Sequence, residues 1–142
     1  MYNPRYFTLF ELCYSYTAER EGINNIPNFY QVSNLSRLCE LILDPVREKI
    51  RQPIVVTSGY RSYELNKAIG GAPSSQHLLG CAADIVCADM ASLEKALKES
   101  NYDQLILEKS NNGKSVWYHV SIPTPNAKPR QEFLTITNNN HE

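Results

Sequence analysis

The chain has 142 residues, 42% hydrophobic and 20% charged, and its 14 basic and 15 acidic residues leave a formal net charge of −1. That length suits one domain able to bury its own core, and the balanced charge removes the basic footprint of a nucleic-acid binder. No apolar run approaches the roughly 20 residues that span a bilayer, and Met1-Tyr2-Asn3-Pro4-Arg5-Tyr6 lacks the basic-then-apolar pattern of a secretory leader.

A chain of this kind is expected to be a cytoplasmic monomer as synthesised, with no membrane partner. Thr8-Leu9-Phe10-Glu11 reads as a capping box opening a short helix to about Tyr16. Residues 20–31, rich in Asn, Gly and Pro, read as a loop. Ser33 is placed to cap the next helix, whose apolar positions Leu35, Leu38, Leu41, Ile42 and Val46 keep a helical period. Pro45 falls inside that pattern and predicts a kink or break near Asp44.

Pro53 to Ser58 is a short β-branched run that reads as a buried strand. Gly59-Tyr60-Arg61 turns out of it, and Ser62 caps a short helix through Ala68 that ends at Gly70-Gly71. A second strand is expected from Ala82 to Cys87, then a helix started by Asp89 or Ser92. Two further strands follow, roughly Gln104 to Lys109 and Ser115 to Ile122, joined through Asn111-Asn112-Gly113. The segment after Pro123 is a polar tail with one weak strand near Phe133 to Ile136. Helices first and strands after, without regular βαβ alternation, predict a single α+β domain over residues 1–142 with a mainly antiparallel central sheet flanked by helices.

The four cysteines, Cys13, Cys39, Cys81 and Cys87, form no CxxC pair and read as reduced small hydrophobes. On a strand, Cys81 and Cys87 would both point away from the face of Asp84.

Of the three histidines, His77 and His119 sit in apolar, structured settings while His141 lies in the tail. With Asp84 they supply two nitrogen donors and one oxygen donor, the set a catalytic zinc site uses while leaving a fourth position open. His77 and Asp84 would face opposite ways in one continuous strand, and Gly80 between them supplies the bend that lets both reach one point. On the last strand Trp117, His119 and Ser121 share one face, with Val116, Tyr118, Val120 and Ile122 toward the core. Asn112-Gly113 is a strong two-residue hairpin signal. If those residues form the loop, Asn111 pairs with Lys114, Glu108 lies opposite Trp117, and Glu108 becomes a diagonal neighbour of His119. A loop one residue longer or shorter would turn Glu108 to the other face.

The Ser-x-His-x-x-Gly-x-Ala-x-Asp pattern (Ser75, His77, Gly80, Ala82, Asp84) with the downstream Trp117-x-His119 resembles the zinc D-alanyl-D-alanine carboxypeptidase family of peptidoglycan peptidases. Its fold is shared with the N-terminal signalling domain of hedgehog proteins. Phe7 to Leu12, Thr57 to Ser62 and Asn66 to Gly71 resemble the same family, so the likeness covers roughly residues 7–122. The resemblance implies one zinc ion held by His77, Asp84 and His119, with Arg61 near the substrate to hold a peptide carboxylate or the polarised carbonyl. Ser75 and Gln76 would shape the approach to His77, and Trp117 would wall or contact the substrate pocket.

One departure concerns the general base. Several members place an acid shortly before the final histidine, where this chain has Ser115, Val116, Trp117 and Tyr118. The hairpin argument supplies Glu108 in its place. The implied activity is hydrolysis of peptidoglycan stem peptides at a D-amino-acid bond, as a carboxypeptidase or a lysin-like endopeptidase acting on the wall after release. The competing expectation is a non-catalytic binding module on the same fold, as the hedgehog likeness allows. A carboxylate set over the metal's open position separates the two.

Overall fold

The computed structural model describes residues 1–138. The expected capping box opens α1 (Leu9–Cys13), with the Glu11 N–H donating to Thr8 Oγ1 and the Thr8 N–H donating to Glu11 Oε1, each at 3.1 Å. The helix stops at Cys13, and Ser15 caps a second one, α2 (Tyr16–Glu21), closed by Gly22 at φ 68°. Helix therefore continues past the predicted stop at Tyr16.

α3 (Phe29–Leu38) starts earlier than Ser33 predicted, because Asn28 and Gln31 form a reciprocal capping box of their own. Pro45 does not break the helix. A π turn at Cys39–Leu43 leads into α4 (Asp44–Ile50), with the Asp44 N–H bonding to the Cys39 carbonyl. The wider π turn ends as Pro45 enters the first turn of α4, where a missing N–H costs little.

Among the described residues, five strands form one sheet in the order β1-β2-β4-β3-β5. They are β1 (Val55–Ser58), β2 (Ala82–Val86), β3 (Gln104–Ser110), β4 (Val116–Ser121) and β5 (Glu132–Asn138). β1 to β4 pair antiparallel, and β5 joins β3 in parallel. The α+β class and the mainly antiparallel sheet agree with the expectation. The weak strand read in the tail extends to seven residues and forms one edge of the sheet. β1 forms the other edge, so Val55 is 55% exposed rather than buried.

One face of the sheet carries the core. Ala83, Ile85, Leu105, Tyr118 and Val120 pack with Leu35, Leu38, Ile42 and Val46 of the α3–α4 run and with Leu93 and Leu97 of α6 (Met90–Lys98). Tyr118 also donates its hydroxyl to Glu94 of α6. Val116, expected inward, is exposed because it pairs with Lys109 near the hairpin end. Cys39 and Cys81 lie in this core, and all four cysteines are free thiols. His141 lies outside the described residues. No described helix is long and apolar enough to cross a membrane.

Candidate metal centre

The opposite face of the sheet is polar at its middle. Asp84 of β2 and His119 of β4 are direct cross-strand partners, so their side chains rise from the same face side by side. His77 reaches them from a 3₁₀ turn, Gln76–Leu79, whose first N–H groups are capped by Ser75. Gly80 ends that turn at φ 77°, and a Cβ there would stand 2.4 Å from the Gln31 carbonyl oxygen. Glycine thus provides both the left-handed bend and the close approach to α3. The anticipated bend between the ligands is present.

His77, Asp84 and His119 are all buried, and one donor atom from each lies within 4.8 Å of the others. Asp84 Oδ1 is 3.3 Å from His77 Nε2 and 3.2 Å from His119 Nδ1. A tetrahedron with arms of about 2.0–2.1 Å has edges of roughly 3.3–3.4 Å, so both separations fit zinc.

The protonation of His77 follows from its surroundings. Its Nδ1 stands 2.6 Å from the Gly59 carbonyl oxygen, which only accepts, so Nδ1 carries the proton and donates. Burial pushes the imidazole pKa down to about 4, against the opposing pull of Asp84, so the ring is neutral near pH 7. Nε2 therefore presents a lone pair to the Asp84 carboxylate. Two lone pairs facing each other at 3.3 Å in a dry site repel unless a cation lies between them. The donor set fits a divalent metal of the zinc type.

Arg61 holds the far side of Asp84. Its Nη2 donates to Asp84 Oδ2 at 3.1 Å, Nε to Ser58 Oγ at 2.9 Å, and Nη1 to Asn66 Oδ1 at 3.2 Å. The guanidinium is almost wholly buried. Asn66 lies on α5 (Tyr63–Ala68), and the loop after that helix closes against it. A Cβ on Gly71 would stand 2.0 Å from Asn66 Oδ1 and 3.1 Å from Arg61 Nη1. Carboxylate, guanidinium and amide form a shell that leaves Oδ1 as the oxygen facing the histidines.

A cleft of about 400 Å³ opens over these groups, lined by His77, His119, Arg61, Ser75, Gln76 and Glu108 among others. Glu108 pairs with Trp117, as the hairpin reading required. The loop spans residues 111–114 rather than 112–113 alone, with Ser110 N–H donating to the Ser115 carbonyl and Gly113 N–H to the Ser110 carbonyl. Both loops keep the same register, so Glu108 stays on the cleft face. Glu108 is itself buried at 7% exposure. Trp117 is buried beside it and does not line the cleft.

The sequence reading did not identify the groups beyond residue 123 that finish the cleft. Arg130 and Ile136 line it. Asp103, buried just before β3, joins Arg130 to the histidine turn, accepting from Arg130 Nη2 at 2.7 Å and from Gln76 Nε2 at 2.9 Å. Burial raises the Asp103 pKa, but the bonds from Arg130 and Gln76 outweigh it and hold the carboxyl below its ordinary value. The Phe133 to Ile136 run was the one signal for this segment, and it marked a strand without marking its partner.

No curated protein matches the chain significantly. The sequence model of the family described as peptidase M15 matches residues 5–121, from the first helices through β4. That stretch contains His77, Asp84 and His119, and it covers most of the molecule. On that match and a donor set suited to zinc, the chain belongs to the peptidase M15 family of zinc metallopeptidases.

Proposed function

We propose that the protein is a zinc-dependent hydrolase that cleaves peptidoglycan stem peptides at a D-amino-acid bond, with His77, Asp84 and His119 as ligands and Glu108 as general base. The observation that carries this reading is the meeting of three buried donors with a separate carboxylate in one cleft. When bound, the metal supplies the Lewis acidity that makes a nucleophile of water near neutral pH and polarises the peptide carbonyl.

The protein's own groups do the rest. Gly59 fixes the His77 tautomer, so Nε2 needs no proton removed before it binds a cation. Arg61 donates to Asp84 Oδ2 and fixes how the carboxyl group is turned, which supports a positioning role for that arginine. Glu108 takes a proton from the attacking water and returns it to the leaving amine. Trp117 is buried as the cross-strand partner of Glu108, and Ser75 and Gln76 hold the turn that delivers His77. Glu108 lines the same cleft as His77 and His119, which supports the enzyme over the non-catalytic alternative.

The test is incubation of the purified protein with muropeptides, with chelator and with added zinc, and mass spectrometry of the products. A stem peptide cut, or a terminal D-amino acid released, only in the presence of metal is the expected result. A folded, zinc-loaded sample that leaves every muropeptide intact would overturn the reading. Glu108→Gln is expected to keep the metal while turnover falls about 10²–10⁴-fold, and unchanged turnover would remove Glu108 from the chemistry.

A further inference from the structure

Arg130 lies beyond the stretch that the family model matches, and the chain path into β5 brings it to the cleft. One edge of its guanidinium is clamped. Nε donates to Asp103 Oδ1 at 3.1 Å and Oδ2 at 3.2 Å, and Nη2 donates to Oδ2 at 2.7 Å. The Arg130 backbone N–H adds a bond to Oδ1 at 2.8 Å. Asp103 is buried with 4% of its side chain exposed, whereas the Arg130 side chain is 56% exposed.

A guanidinium has five N–H donors on a rigid fork. The bonds to Asp103 use Nε and Nη2, and Nη1 makes no hydrogen bond among the described residues. The clamp removes side-chain freedom before any ligand arrives, which lowers the entropic cost of binding one. Arg61, the other arginine of the cleft, is buried against Ser58, Asn66 and Asp84 instead. Ile69, Ile106 and Ile136 add apolar surface to the wall. A fork clamped along one edge, on a residue that lines the cleft beside apolar side chains, suits a carboxylate carried on a small aliphatic residue.

We propose that Arg130 anchors a free carboxylate of the peptide substrate, making it a specificity-determining residue that selects peptides with an unblocked carboxyl group. The proposal rests on the peptidase reading for what occupies the cleft. The carboxylate is either that of the C-terminal residue or the free carboxylate of an acidic residue within the stem.

The experiment uses the stem pentapeptide L-Ala-γ-D-Glu-L-Lys-D-Ala-D-Ala, its C-terminal amide, and the form with D-isoglutamine in place of D-Glu. Calorimetric binding to the full chain in chelator reads affinity without turnover. The wild type is expected to bind the free acid about tenfold or more tightly than one of the two blocked forms, the size expected for a charged hydrogen bond. The form that loses affinity identifies which carboxylate is held. Arg130→Gln is expected to erase the preference, and Arg130→Lys to keep part of it, since the charge stays while the fork is lost. With zinc restored, Arg130→Gln should raise KM for the free acid by a similar factor with kcat little changed.

Equal affinity for all three peptides, no binding of any, or a preference that survives Arg130→Gln would overturn the proposal. Zinc stoichiometry and melting temperature of each variant report whether the His77 turn is intact. If Arg130→Gln does not fold, Arg130→Lys decides, and an undiminished preference there counts against the fork. Turnover in zinc is read separately. Free-acid preference without cleavage leaves the anchor standing and sinks the peptidase, whereas cleavage without preference does the reverse.

Discussion

On β4, Tyr118 and Val120 point to the helices while Trp117 and His119 lie on the opposite face, where His119 lines the cleft, and the neighbouring strands divide in the same way. The helix-side face is a conventional core of Leu, Ile, Val and Tyr. The cleft-side face buries Asp84, His77, His119, Arg61, Ser58 and Glu108 at 8% exposure or less. Apolar burial on the first face favours folding directly. Burial of charge on the second costs stability unless each group finds its counterpart. One set of strands therefore presents a stabilising surface and a chemically active one back to back, and period-2 alternation keeps them apart.

The sharpest way to break this comparison is to remove an acid from the polar face. Asp84→Ala strips the site of a ligand and leaves Arg61 buried without its acid, so zinc binding should vanish and stability should fall by roughly 3–5 kcal/mol. Zinc titration and urea unfolding measure both losses, and wild-type stability in that variant would mean that Asp84 is not compensating Arg61. The matching change on the other face is Leu105→Ala. There the loss should be about 2–5 kcal/mol, with zinc stoichiometry unchanged. Metal loss in that variant would show that the two faces are not independent.

Acid sharpens the comparison further. Burial lowers the His77 pKa from 6.5 to about 4, so between those values the unfolded chain binds a proton that the folded chain does not. The contribution of His77 to stability is complete above pH 6.5 and is lost as the pH falls toward 4, by roughly 3 kcal/mol at most. Unfolding of the metal-free protein as a function of pH measures it. A flat profile over that range would contradict a neutral, buried His77. Bound zinc adds its own stabilisation by mass action and should delay the loss.

Gly71→Ala forces Asn66 away from Arg61, and the outer-shell disturbance should weaken zinc binding about 10–100-fold while the apolar core is untouched. Competition with a chromogenic chelator reads that change. The smallest effect is expected from Thr8→Ala, which removes the α1 cap for about 1 kcal/mol. Zinc affinity unaltered in that variant would set the baseline against which the site variants are judged.

Much of this division is visible in the chain itself. The apolar alternation of β3 and β4 and the Asn112-Gly113 signal suffice to place Glu108 opposite Trp117, even though the loop takes in residues on either side of that pair. Gly80 between His77 and Asp84 signals a bend that lets the two converge, and the structure places a left-handed turn there. Helix starts were less legible. Asn28 and Gln31 outcompete Ser33 through a cap in which an amide does the work usually read from a hydroxyl and a carboxylate. Pro45 marks the place of an irregularity but not its form, since the regular helix gives way to a π turn ending at Asp44 and the chain stays helical through it.

Two further features depend on pairings that local pattern does not encode. Phe133 to Ile136 announces a strand, but whether it lies beside β3 or elsewhere is decided by tertiary contact, among them the Asp103 clamp on Arg130. The same holds for Arg61. The resemblance of Thr57 to Ser62 implies a place for it near the substrate, while its bonds to Ser58, Asn66 and Asp84 emerge only once β1, α5 and β2 are assembled.

The Gly59 carbonyl that orients His77 has a consequence for how this site can drift. The instruction that fixes the His77 tautomer is written in the course of the main chain, so no exchange of a neighbouring side chain deletes it. It is sensitive at one address, position 59 itself, where a Cβ would stand 2.1 Å from the Leu12 carbonyl oxygen. Residues around the cleft can therefore diversify toward new substrates while His77 keeps offering the same nitrogen, provided that the contact between α1 and the end of β1 is preserved.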